Sequence, residues 1–163
     1  MTDSQLRFID QGPWVISAEI DLSASADQVY ALVANPSRHA DLDGGGSILG
    51  LDRGRDGLLQ LGETFSQKMR LGPFPYTLTM TVTEAQENRA ITWLHPGGHS
   101  WRWQIFDQGS GLLTVRETFD ARQAVRAGIP LYRLYRWTGS FALNRKNIAL
   151  SLVRLRRLLS QQD

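Results

Sequence analysis

Three polar side chains fall where alternation calls for apolar ones. Gln67 sits between Phe65 and Met69 in a period of two, His95 follows Ile91 and Trp93, and Glu117 separates Val115 from Phe119. If those faces turn inward, all three are buried, and an unpartnered buried polar group costs about 1–3 kcal/mol. Within an apolar pocket, such groups orient a ligand. Glu117 in a desolvated site is also a candidate general base, with Arg145 as its alternative partner in an ion pair. His95 is the matching candidate for proton transfer. The plainer readings are a strand-end carboxylate that reaches water and a satisfied structural histidine.

Other patterns carry less chemistry. His95 and His99 bracket Pro96-Gly97-Gly98, but two imidazoles without a third ligand do not make a zinc site, so no metal is expected. Gly44-Gly45-Gly46-Ser47 lacks the Lys-Ser/Thr and the strand-to-helix setting of a phosphate loop, and reads as a flexible cavity rim. With no Cys, thiolate nucleophiles, disulfides and cysteine-ligated metals are excluded. No nucleophile elbow or Ser-His-Asp arrangement appears, and no cofactor is implied.

The elements that would position these residues follow from periodicity. Ile16, Ala18, Ile20 and Leu22 alternate with Ser17, Glu19 and Asp21, a half-buried strand. Ser25 then caps a helix with Val29, Leu32 and Val33 along one stripe. Asn35-Pro36 ends it and opens a second short helix through Arg38, His39 and Leu42. Strands are expected over Ser47 to Leu51, Leu58 to Leu61, Thr64 to Leu71, Tyr76 to Glu84, Arg89 to His95, Ser100 to Asp107 and Leu112 to Asp120. Turn residues at short intervals make these one antiparallel meander. After Gly128 the alternation stops. Gly139 to Ser160 has helical spacing, with Phe141, Ile148, Leu152, Leu155 and Leu159 on one face. Such a helix is about 30 Å long and spans a small domain.

The chain of 163 residues suits a single domain, 1–163, and its 42% hydrophobic and 21% charged content is ordinary for a soluble protein. The start, MTDSQLRFIDQGP, lacks the basic and apolar run of a secretion signal, so a cytoplasmic location is expected. Charge is divided unevenly. Residues 1–120 hold nine basic and fifteen acidic residues, whereas residues 121–162 hold nine basic and none acidic. A basic face packed against an acidic body accounts for this. RNA or an anionic membrane is the less favoured partner.

A strand, two short helices, a run of antiparallel strands and a long final helix imply a curled sheet gripping that helix. In Ile20-Asp-Leu-Ser-Ala-Ser-Ala-Asp-Gln-Val-Tyr30, Val33-Ala-Asn-Pro36, Ile91-Thr-Trp93, Gly109-Ser-Gly-Leu-Leu-Thr-Val115 and the terminal helix, the chain resembles the START-like helix-grip (SRPBCC) superfamily, and within it the polyketide cyclase/dehydrase and lipid-transport group. The resemblance implies an α+β helix-grip fold with six to seven strands. It brings no shared catalytic signature, because carriers, cyclases and regulators share this scaffold.

Strand parity then names a candidate ligand-binding set: Phe65, Gln67, Met69, Tyr76, Met80, Trp93, His95, Trp101, Trp103 and Glu117 on the sheet, with Phe141 on the helix above. A packed core is the competing reading for any one of them. Three functions remain open. The first is binding of a hydrophobic or aromatic small molecule: a lipid, a polyketide-like compound or a quinone. The second is a cyclase or dehydratase using His95 and Glu117. The third is an interaction module acting through the basic C-terminal segment.

Overall fold

The computed structural model describes residues 6–161, so the first residues of the polar start, and Asp163, lie outside the described residues. Strands β1 (Arg7–Ile9) and β2 (Val15–Ser23) lead into helix α1 (Ala26–Val33). Ser25 caps α1, its backbone N–H donating to Gln28 Oε1 at 3.0 Å. A 3₁₀ turn (Pro36–Arg38) and the single-turn helix α2 (His39–Leu42) follow, with Asn35 Oδ1 accepting from the Ser37 N–H. The meander then runs through β3 (Ile48–Arg53), β4 (Thr64–Leu71), β5 (Phe74–Gln86), β6 (Ala90–Leu94), β7 (Ser100–Gly109) and β8 (Leu112–Asp120). A short hairpin, β9 (Val125–Arg126) with β10 (Ile129–Pro130), precedes α3 (Leu131–Trp137) and the long α4 (Ser140–Leu159).

The curved antiparallel sheet has eight strands in the order β1-β2-β8-β7-β6-β5-β4-β3. Its eighth strand is the three-residue edge β1, held by Arg7, which bridges Glu19 at 2.7 Å and Asp21 at 2.8 Å on the face away from α4. The return from β8 to β2 gives the sheet an interior seam, on which α4 packs.

One expected strand is absent. Residues 58–61 form no strand; β3 pairs with β4, and a ten-residue connection replaces the tight hairpin. Leu59 is the reason, because its N–H donates to Ala34 O at 2.9 Å and its side chain is fully buried, pinning the connection to the end of α1. Buried apolar residues in a short run mimic a strand when they are in fact an anchor.

The inward face keeps its alternation. Register places Ala18, Glu117, Trp103 and Ile91 in one row across β2, β8, β7 and β6. Phe119, Trp101 and Trp93 form the next row. Ile148, Leu152, Leu155 and Leu159 of α4 are buried on this sheet and against α1. No helix among the described residues is long and apolar enough to cross a membrane.

Candidate functional site

Helix α4 presents two stripes. Besides the apolar one, Ser140, Asn144, Asn147 and Ser151 recur at spacings of four, three and four, one continuous helical line. That polar line forms part of the wall of a cavity of about 790 Å³ that also reaches the inward face of β4 to β8. Met80, Trp93, Trp103, Glu117 and Phe119 belong to its buried part, each under a tenth exposed. Leu71 and Tyr76 from the β4–β5 hairpin and Leu143 from α4 stand exposed at its mouth. His39, Leu42 and Asp43 of the α2 region, the loop of Gly45 to Ile48, and His95, His99 and Tyr135 complete the wall.

Of the eleven ligand-site residues expected from strand parity, Met69, Tyr76, Met80, Trp93, His95, Trp101, Trp103 and Glu117 face this one cavity. Phe65, Gln67 and Phe141 do not. Phe65 sits behind the wall, edge-on to His39 at 5.5 Å and to Trp93 at 5.8 Å. Gln67 shares the inward parity, but its amide nitrogen is spent on structure, Nε2 donating to Pro36 O at 2.9 Å and to His39 Nδ1 at 3.3 Å, while Oε1 is buried without a hydrogen-bond partner. Phe141 turns to the flank of α4, against Phe119 at 5.7 Å and Trp14 at 6.1 Å.

Glu117 is a buried acidic group of the cavity wall. Trp103 and Ala18 are its cross-strand neighbours, and the small Ala18 leaves its carboxyl uncrowded on one side. The expected partner Arg145 is elsewhere, its guanidinium stacked 3.5 Å over the Phe8 ring. Glu117 Oε2 is buried without a hydrogen-bond partner. Burial, and secondarily the carboxylate of Asp43, push the Glu117 pKa well above the ordinary value, toward the neutral acid.

The imidazoles shift the opposite way. Burial lowers His39 to about 4 and His95 to about 4, and His99 falls to about 3 through burial and its neighbour His95. His39 is fully engaged: Nε2–H donates to Val33 O at 3.0 Å, Nδ1 accepts from Gln67, and the ring stacks on Trp93 at 4.6 Å. His95 Nδ1 accepts from the Gly97 N–H at 2.8 Å, so its neutral ring carries the proton on Nε2. His95 and His99 stack at 3.9 Å, and His99 Nδ1 lies 3.2 Å from the Tyr135 hydroxyl. Among the described residues, no group of three or more His, Cys, Asp or Glu side chains is placed to hold a metal ion.

The triglycine rim is anchored rather than loose. Gly44 N–H donates to Ser151 Oγ at 3.0 Å, Gly45 N–H donates to Asp43 Oδ1 at 3.0 Å, and Arg154 donates to Asp43 O. A Cβ on Gly44 would lie 2.2 Å from Asn147 O and 2.8 Å from Ser151 N, so only glycine allows the loop to touch the α4 backbone. Part of the basic segment is used internally: Arg122 pairs with Asp120 at 2.6 Å, and Arg136 covers the Trp14 ring at 5.3 Å. Sequence reasoning missed the Ser140-Asn144-Asn147-Ser151 line, His39, His99, Asp43 and Tyr135 as cavity residues. Only the first left a signal, a second polar stripe beside an apolar one.

No family model matches the chain. An uncharacterised protein of Mycobacterium tuberculosis is 36% identical over 149 residues, which are 90% of this chain and 65% of that protein. The chain thus spans just under two thirds of its relative's length. Among solved structures, a START superfamily protein of Mycobacterium smegmatis superposes with a TM-score of 0.62 at 15% identity, covering 91% of this chain and 99% of its own. A polyketide-cyclase-like protein of Corynebacterium glutamicum gives 0.57 at 16% identity, covering 94% and 95%. Norcoclaurine synthase of Thalictrum flavum, in complex with dopamine and hydroxybenzaldehyde, gives 0.60 at 14% identity, covering 98% and 90%. An open, curved sheet of eight antiparallel strands packed on α4, together with these superpositions, makes this a START-like helix-grip fold.

Proposed function

We propose that the chain binds a hydrophobic or aromatic small molecule, of lipid, polyketide-like or quinone-like character, between the sheet and α4. The observation that carries this reading is the cavity of about 790 Å³ with Met80, Trp93 and Trp103 buried in it. Its size falls within the range of roughly 300–1,000 Å³ typical of small-molecule sites, and buried aromatic and Met side chains set among polar groups that can orient a ligand are their usual chemistry. Exposed Leu71, Tyr76 and Leu143 at the mouth extend the apolar surface outward, which suits entry of a poorly soluble molecule. Native mass spectrometry of gently purified protein, with a tryptophan-fluorescence titration, is the test. Retained mass or saturable quenching is expected; a bare protein that no hydrophobic compound saturates overturns the reading.

One observation favours a second reading, a cyclase or dehydratase. His95 and Glu117 line the same cavity, one a neutral imidazole and the other biased toward a neutral acid, a pair able to exchange a proton with a bound molecule. The norcoclaurine synthase likeness, at 14% identity, shows a shared fold only. Turnover lost in both His95→Ala and Glu117→Gln, with binding retained, would mark an enzyme; binding without turnover marks a carrier.

A further inference from the structure

Glu117 is 5% exposed, lines the cavity and leaves Oε2 without a partner. A buried carboxyl in that condition is tolerated when something outside the chain completes its hydrogen bond. Two ligand classes compete for it: an amine, which would form an ion pair, and a neutral molecule with an acceptor oxygen, which would take a proton donor.

The hydrogen-bond geometry of the wall, with which the histidine shifts agree, favours the neutral molecule. If the cavity field were negative enough to recruit a cation, the wall imidazoles would be drawn toward their charged forms. Instead His95 and His99 are displaced toward neutrality, while Glu117 is displaced toward the neutral acid. Opposite shifts for acid and bases are the mark of desolvation, which penalises either sign of charge. Asp43, the other carboxylate of the wall, accepts from the Ser47 and Ile48 N–H groups at 2.5 and 2.7 Å, so its oxygens are already engaged by backbone donors.

The remaining groups add donors. His95, with Nδ1 occupied by the Gly97 N–H, has only Nε2–H left to offer. Trp103 is Glu117's cross-strand neighbour, giving an aromatic surface beside the carboxyl. A flat ligand that stacks there and carries one acceptor oxygen fits the inventory.

Resting on the ligand-binding reading above, we infer that Glu117 is the anchoring hydrogen-bond donor for a neutral, carbonyl-bearing apolar ligand, and that the cavity discriminates against charged analogues. The test is calorimetric titration of the whole chain with four compounds of similar size: 1,4-naphthoquinone, naphthalene, 1-naphthoate and 1-naphthylmethylamine. Each is measured on wild type, Glu117→Gln and Glu117→Leu, with folding checked by circular dichroism. Naphthoquinone should bind wild type about tenfold tighter than naphthalene, the scale of one buried hydrogen bond, and the two charged compounds more weakly than either. Glu117→Leu should erase the quinone preference while retaining naphthalene, and Glu117→Gln, whose amide still donates, should keep most of it. The infrared carbonyl stretch of bound quinone should move to lower frequency in wild type than in Glu117→Leu. If the leucine variant fails to fold, that shift relative to quinone in an apolar solvent decides alone. Naphthalene binding without a quinone preference, or the amine binding tightest, overturns this inference and leaves the ligand-binding reading intact. Failure of all four to bind folded wild type overturns both.

Discussion

The two halves of α4 do opposite things with the same sheet. From Ile148 to Leu159, the inward side chains are aliphatic and almost fully buried, closing on β2, β8 and α1. From Ser140 to Asn147, the side chains turned to the cavity include the short polar Ser140, Asn144 and Asn147, and the space beneath them is open. A packed end makes the fold and an unfilled end makes the site. The contrast teaches that the cavity is written in the helix as much as in the sheet, because Ser and Asn are too short to meet Trp93 and Trp103 across the gap.

Four substitutions and one pH dependence break or sharpen that contrast. Leu152→Ala, at the fully buried end, should cost about 3 kcal/mol in denaturant unfolding, while Asn144→Ala, over the cavity, should change stability by under about 0.5 kcal/mol. Comparable losses at both sites would mean that the cavity end is packed after all. His39 is held neutral to about pH 4 by burial, whereas in the unfolded chain it protonates near 6.5. A lowered base means that the unfolded state takes up a proton that the folded state refuses. Stability present above pH 6.5 is therefore lost as pH falls to about 4, by about 3 kcal/mol from this residue. An NMR titration placing the His39 pKa near 6.5 would refute this.

Gly44→Ala, where the two halves of α4 meet, should cost about 2 kcal/mol, because the added methyl meets backbone rather than a movable side chain. Wild-type stability in that variant would show that the rim is loose. A smaller effect is expected at Glu117. A raised carboxyl pKa means that the unfolded chain releases a proton that the folded one retains, so stability falls as pH rises above about 4.5. Glu117→Gln removes that dependence and should gain on the order of 1 kcal/mol at neutral pH, with little gain near pH 4. Thermal melts at both values compare the two.

Much of the fold was legible because period-two alternation in β4 to β8 survives long enough to fix which face is inward. The same parity brought Trp93, His95, Trp103 and Glu117 to one cavity. It misled for Gln67, whose inward amide is claimed by Pro36 O, a partner 31 residues away that no local pattern encodes. It misled for Arg145 because helix periodicity places the residue but not the Phe8 ring that takes its guanidinium. The run of Leu58 to Leu61 imitated a strand while serving as an anchor to Ala34. His39, His99 and Asp43 were out of reach, since loops and single-turn helices carry no period from which to read a facing.

The most direct measurement follows the indole N–H signals of the five tryptophans during titration with naphthalene. Trp93, Trp101 and Trp103 line the cavity, Trp14 packs on Tyr132 at 4.6 Å, and Trp137 is 86% exposed on α3. A ligand held between sheet and helix should shift the first three in one saturable process and leave Trp14 and Trp137 unmoved. Shifts confined to Trp137, or none at any concentration, would contradict the cavity as the binding site.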